Sequence, residues 1–173
     1  NDLNAAKQLF AGCGSSSSAL AFGGEPASAL TELWDGASWT EVADLNTARR
    51  TLGNAGANNT SALAFSGTSS VPAVPGITTA TEEWNANIAV GAWITGGSLN
   101  TARDDIAGTG IQTAALGFGG NTGAGVANTE SYNGTAWAEV NDLNTARWAM
   151  GAAGTASSAL TFGGTTPPTT AVT

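Results

Sequence analysis

The sequence contains no histidine, one cysteine, one methionine, one tyrosine and only 5 lysines and arginines. Each shortage closes a class of chemistry. Without imidazole there is no Ser-His-Asp acyl transfer, no histidine-ligated zinc, copper or haem, and no imidazole acid–base catalysis. Cys13 alone forms no internal disulfide and offers at most one thiolate ligand, so the sequence implies neither an oxidising compartment nor a metal site, and no cofactor. Lys7, Arg49, Arg50, Arg103 and Arg147 stand against 13 acids, for a net charge of −8. No basic stripe exists to neutralise phosphates, which argues against nucleic acid as a partner. No run of about 18 apolar residues is present, so no membrane insertion is expected. The chain opens on Asn1, with neither an initiator Met nor a charged-then-apolar leader, which points to a piece of something longer.

Glycine is plentiful instead, 24 residues of 173, and 42% of the chain is apolar, enough for a core. With Ala, Ser, Thr and Asn dominating and strong helix formers scarce, the composition predicts a single all-β domain over residues 1–173.

The domain is repetitive. Asp44-Leu45-Asn46-Thr47-Ala48-Arg49 recurs as Ser98-Leu99-Asn100-Thr101-Ala102-Arg103 and Asp142-Leu143-Asn144-Thr145-Ala146-Arg147, with a weaker copy at Asp2-Leu3-Asn4-Ala5-Ala6-Lys7, at spacings of 42, 54 and 44 residues. After each basic residue comes an apolar run closed by glycine: Ala19-Leu20-Ala21-Phe22-Gly23-Gly24, Ala62-Leu63-Ala64-Phe65-Ser66-Gly67, Ala115-Leu116-Gly117-Phe118-Gly119-Gly120 and Ala159-Leu160-Thr161-Phe162-Gly163-Gly164. Next stands an acid two residues before an aromatic, as Glu32 before Trp34, Glu82 before Trp84 and Glu130 before Tyr132. Trp39, Trp93 and Trp137 close the units. The repeats are therefore 1–43, 44–97, 98–141 and a partial 142–173.

Each unit reads as four short strands. The basic residue leads into a Gly/Ala-rich first strand, and the Ala-Leu-Ala-Phe run is a second, covered on both faces. The double glycine turns the chain, because glycine takes positive φ without steric cost. A third strand carries the aromatic, and Asp35-Gly36 or Asn133-Gly134 turns it into a fourth strand with the closing Trp. Four antiparallel strands in roughly 40 to 50 residues describe a propeller blade. Leucine-rich and β-helical repeats run at about half this period, and WD40 units need a Gly-His that this chain lacks.

The order of basic residue, apolar run, Gly-Gly, aromatic-Asp/Asn and Trp resembles the kelch repeat, including the propeller of the galactose oxidase central domain. Its spelling resembles the kelch-like proteins of bacteriophage virions and bacterial surfaces. The resemblance implies a propeller with three full blades and a partial fourth, closed by further chain or by another subunit. It also implies a location in a virion or at an extracellular surface. Copper oxidase chemistry is excluded for this segment, since the ligands it needs are missing. The expected function is non-catalytic: a structural phage component such as a tail fibre, decoration or appendage protein, contacting other copies of itself, other virion or surface proteins, or host glycan. The alternative is a secreted or surface-bound bacterial lectin-like propeller.

Repetition separates scaffold from candidate site. Arg49, Arg103 and Arg147 recur, so each is expected to pair with Glu32, Glu82 or Glu130 of its own or a neighbouring blade, because low-charge interiors retain charges mainly as pairs. The recurring aromatics are expected to pack blade on blade. The place after the repeat cation varies, holding Gln8, Arg50, Asp104 and Trp148. Arg50, Asp104, Asp105 and Trp148 are therefore the candidate binding residues, with the second-unit insertion Ser69 to Thr79 beside them.

Overall fold

A computed structural model describes residues 2–69, 76–87 and 91–167, and the chain is all-β. Pro72 and Pro75 of the insertion lie outside the described residues. The first sheet runs β1 (Ala11–Ser15), β2 (Ser18–Phe22), β3 (Thr31–Trp34), β4 (Trp39–Val42) in sequential order. The second is built from β5 (Gly53–Asn58), β6 (Ser61–Phe65), β9 (Thr81–Asn85) and β10 (Ala92–Thr95), with a small hairpin of β7 (Thr68–Ser69) and β8 (Gly76–Ile77) set between β6 and β9. The third comprises β11 (Ala107–Ile111), β12 (Ala114–Phe118), β13 (Thr129–Tyr132) and β14 (Trp137–Glu139); β15 (Gly151–Thr155) and β16 (Ser158–Phe162) form a two-stranded fourth. All pairings are antiparallel.

The first strands of successive sheets pack side by side in the order β1, β5, β11, β15, a propeller-like arrangement that does not close into a ring. Their Gly/Ala composition follows from this crowding. A Cβ on Gly108 would stand 2.4 Å from the Asn54 carbonyl oxygen, and one on Gly56 would stand 2.7 Å from Cys13 Sγ. Such approaches leave no room for a side chain. At the far ends of the sheets, Trp34 faces Trp39 across a four-residue connection in which Asp35 Oδ1 accepts the N–H groups of Ala37 and Ser38. Asn133 repeats the device between Tyr132 and Trp137.

The recurring Asp-Leu-Asn-Thr-Ala-Arg segment fastens each sheet to the next. Asp44 Oδ1 accepts the Thr31 N–H at 3.1 Å and the Leu45 N–H reaches the Ala29 carbonyl at 3.0 Å, both in the first sheet's territory. The remainder grips the second sheet: the Asn46 N–H donates to Glu82 Oε2 at 2.6 Å, and Arg49 Nη2 meets Glu82 Oε1 at 2.7 Å. Asn100 and Arg103 hold Glu130 in the same way, at 2.7 and 2.6 Å. The cation thus pairs with the acid of the sheet it leads into. In the first unit Lys7 takes that place, 3.1 Å from Glu32. Burial pushes the Glu32 carboxyl up, but the N–H groups of Asn4 and Ala5 and the Lys7 ammonium outweigh it and hold the group below its ordinary value.

The aromatics do pack sheet on sheet. Trp93 lies edge-on to Phe22 of the preceding sheet at 4.9 Å, and its indole N–H donates to Thr31 Oγ1 at 3.0 Å. Trp137 repeats both contacts on Phe65 at 4.8 Å and on Thr81 Oγ1 at 3.0 Å. The expectation that every Ala-Leu-Ala-Phe run is covered on both faces needs correction. Leu20, Phe22, Leu63 and Phe65 are buried, whereas Leu160 and Phe162 of the fourth run are 64% and 53% exposed. Among the described residues, no outer pair of strands and no following tryptophan lies over them.

Candidate functional site

In an up-and-down sheet, the entry to the first strand and the turn after the second lie at the same end. Gln8, Arg50, Asp104 and Trp148 sit at those entries, and each pairs as an isolated bridge with the residue just past the glycine that closes the apolar run: Glu25, Thr68, Asn121 and Thr165. The Arg50 N–H reaches the Thr68 carbonyl at 3.1 Å, Asp104 the Asn121 carbonyl at 3.0 Å and Trp148 the Thr165 carbonyl at 3.1 Å. These positions therefore share a backbone role in every unit, and only their side chains differ. Trp148 shares the bridge with the other three, and its indole alone sets it apart.

The next residue in each unit, Leu9, Thr51, Asp105 or Ala149, has a left-handed backbone with φ between 49° and 54°. Non-glycine residues adopt this at a cost of roughly 1–2 kcal/mol, so surrounding structure must enforce it. It does so from unit to unit. The Thr51 N–H donates to the Leu9 carbonyl at 3.0 Å, Asp105 to Thr51 at 3.0 Å and Ala149 to Asp105 at 2.9 Å. A ladder of backbone bonds thus runs along this rim across all four units.

The variable side chains lap backwards over the preceding sheet. Arg50 forms an ion pair with Glu25, with 37% and 29% of the two side chains exposed. Asp104 Oδ2 accepts the Thr68 hydroxyl at 2.7 Å, while its buried Oδ1 has no partner among the described residues. The Trp148 ring lies where a Cβ on Gly125 would be, 2.4 Å from the nearest ring carbon, so only glycine fits beneath it. The structure brings Arg50, Asp104 and Asp105 together, joined through Thr68, and sets Trp148 one unit further along the same rim. Thr68, which links two of these residues, and Glu25, which neutralises a third, were not anticipated. The signal for both was their place immediately after the closing glycine, Gly24 before Glu25 and Gly67 before Thr68. Of the insertion, Ser69 and residues 76–79 are described and adjoin Thr68.

Burial and the neighbouring Asp104 carboxylate push the Asp105 carboxyl above its ordinary value, with Arg50 opposing. The sign follows directly. A raised carboxyl pKa weakens the folded state while the group is ionised; the penalty fades as pH falls through the raised value and is gone below the ordinary value of 3.8. Asp105→Asn, which tolerates the left-handed backbone, is expected to stabilise the chain at pH 7 by a few tenths to about 1 kcal/mol, the scale of partly exposed charge pairs. Thermal melts of both proteins should converge near pH 3; equal melting temperatures at pH 7 would contradict the repulsion.

Two titratable groups outside the rim are held in their protonated forms. Burial pushes the Cys13 thiol up to about 12, which suppresses the thiolate. The Tyr132 hydroxyl is pushed up to about 12 by burial and by its 2.5 Å bond to Glu83, so it stays protonated. Among the described residues, no three His, Cys, Asp or Glu side chains come together as a metal site would require. Compared with protein-family models the sequence matches none, and no curated protein is detectably similar to it.

Proposed function

We propose that this protein is a non-catalytic, kelch-like propeller that presents one variable rim on a repeated scaffold, as a structural component of a bacteriophage virion such as a tail fibre, decoration or appendage. Its partners are other copies of itself or neighbouring virion proteins, and host glycan. One observation carries the reading. Four equivalent backbone positions, held by the same bridges, carry Gln8, Arg50, Asp104 and Trp148, so the scaffold is constant where the chemistry is not. A guanidinium and two carboxylates, with an indole one unit further along the same rim, suit hydroxyl-rich ligands, through charge-assisted hydrogen bonds and stacking on a flat apolar ring. The same combination supports the second reading, a secreted or surface-bound lectin-like propeller.

A glycan array tests the rim. Binding that is lost in Arg50→Ala, Asp104→Ala and Trp148→Ala, with melting curves retained, supports glycan recognition; binding indifferent to all three removes it. Labelling the protein with gold-tagged antibody on purified virions separates the two readings. A regular position on the particle supports the virion component, and its absence there, with free protein that binds glycans, supports the lectin.

A further inference from the structure

The turn between β13 and β14 holds the sequence's one Asn-Gly step, Asn133-Gly134. At such a step the main chain can attack its own side chain. The nitrogen of the following residue reaches the asparagine Cγ only when no side chain shields it, and glycine brings none. The turn itself demands that glycine, whose φ of 90° disfavours any other residue.

The surroundings favour the attack. Asn133 is exposed, so water is at hand. Neither the Gly134 N–H nor the Asn133 Nδ2 meets an acceptor among the described residues, which leaves nucleophile and leaving group unrestrained. Asn133 Oδ1, where negative charge builds as Cγ is attacked, already accepts the N–H groups of Thr135 at 3.0 Å and Ala136 at 2.9 Å. Two donors fixed in advance stabilise that charge as an oxyanion hole does. Asn46, Asn59 and Asn100 lack these conditions. Each precedes a threonine, and each has its Nδ2 bound to a carbonyl or carboxylate oxygen.

The first unit shows how the product would fit. Asp35-Gly36 stands in the matching turn, and Asp35 Oδ1 accepts the N–H groups of Ala37 and Ser38, both at 2.8 Å. The N–H groups of Ser38 and Ala37 hold its carboxyl below the ordinary value, so this turn accommodates a carboxylate.

We propose that Asn133 is a self-modification site, which the native chain converts to aspartate and isoaspartate without an enzyme. The Gly134 nitrogen gives up its proton and bonds to Cγ; the Cγ–Nδ2 bond breaks, and the amide leaves with that proton as ammonia. Water then opens the cyclic imide. Attack at Cγ restores the main chain and leaves aspartate, whereas attack at the Asn133 main-chain carbonyl leaves isoaspartate, with the main chain running through Cβ and Cγ. Either product adds one negative charge to the net −8 of the chain. Aspartate keeps the turn. Isoaspartate lengthens it and displaces the donors at Thr135 and Ala136 from the strand that carries Trp137. The inference does not depend on the rim's ligand, since neither residue belongs to the rim.

The test incubates the full chain at pH 8, folded and in guanidinium, and maps its asparagines by peptide mass spectrometry. The folded chain is expected to gain at Asn133 the mass of an amide exchanged for an acid, releasing ammonia in equal amount, while Asn46, Asn59 and Asn100 stay intact. Asn133→Asp supplies the product standard. It is expected to melt at the wild-type temperature at pH 7 and to co-elute on anion exchange with one of two acidic species of the aged chain; the other, isoaspartate, should melt lower. A folded chain that keeps Asn133 intact over the time in which the unfolded chain converts it would overturn the proposal, as would another asparagine reacting first in the folded chain. A lowered melting temperature of Asn133→Asp would overturn the fit of the aspartate product.

Discussion

Replacing Glu130 with leucine is expected to destabilise the chain by about 3–5 kcal/mol, the cost of stripping one partner from a buried ion pair. Both side chains of the Arg103–Glu130 pair are 0% exposed, and the carboxylate also receives the Asn100 N–H. The guanidinium is poorly served otherwise. Its Nε and Nη2 have no hydrogen-bond partner among the described residues, and its bond to the Thr101 carbonyl is a long 3.4 Å. Without Glu130, a full positive charge stays in the interior with that one weak contact. The double substitution Arg103→Met/Glu130→Leu should recover most of the loss, since two apolar groups of similar size leave no charge to desolvate. Urea unfolding of wild type, both single variants and the double variant measures this. A Glu130→Leu cost below about 1 kcal/mol, the level of a solvent-exposed pair, would show that water reaches the site.

The same pair illustrates how far the sequence could be read. That Arg49 and Arg103 pair with repeat glutamates followed from low charge and recurrence, whereas Arg147, expected to do the same, bonds the Gly163 carbonyl and meets no carboxylate among the described residues. Which glutamate belongs to which cation did not follow, because the separation of Arg49 and Glu82 in the chain says nothing about which sheet a linker leans on. The strand plan was legible for a physical reason: turn glycines and continuous apolar runs are local signals, glycine pairs closing three of the four runs and Asx-Gly turns marking two units. The Trp-to-Thr joint was not legible. Thr31 and Thr81 are two threonines in a threonine-rich chain, and their acceptor role arises only when the next sheet arrives.

The rim shows the limit from the other side. Arg50, Asp104, Asp105 and Trp148 stood out because they break the repeat, and they lie along one edge of the molecule. Their irregularity is confined to the side chains. Backbone bridges at Gln8, Arg50, Asp104 and Trp148, and the left-handed residues that follow them, recur without any shared residue type. A leucine, a threonine, an aspartate and an alanine adopt the same strained conformation, so no composition rule could have found it. The bonds from Thr51 to Leu9, Asp105 to Thr51 and Ala149 to Asp105 supply the constraint, and each depends on the neighbouring unit being in place.

If sheet-to-sheet joints hold the fold, tryptophans alike in sequence should differ in energetic weight. Trp137→Ala is expected to cost about 3–5 kcal/mol, the range for deleting a large buried aromatic. Its ring is 5% exposed, lies 4.8 Å from Phe65 and 5.0 Å from Tyr132, and gives its N–H to Thr81. Truncation would open a cavity between the second and third sheets and leave the Thr81 hydroxyl unpaired. Trp39 occupies the same place in its unit but is only half-buried, with Trp34 at 5.4 Å as its aromatic neighbour. Trp39→Ala should therefore cost under about 1.5 kcal/mol, since much of its surface is already in water. Trp137→Phe should fall between, losing the hydrogen bond and part of the stacking area. Chemical unfolding of the three variants ranks them. Equal costs for Trp39→Ala and Trp137→Ala would place the stability in pairing within each sheet, and the joint between sheets would then be a consequence of folding instead of its support.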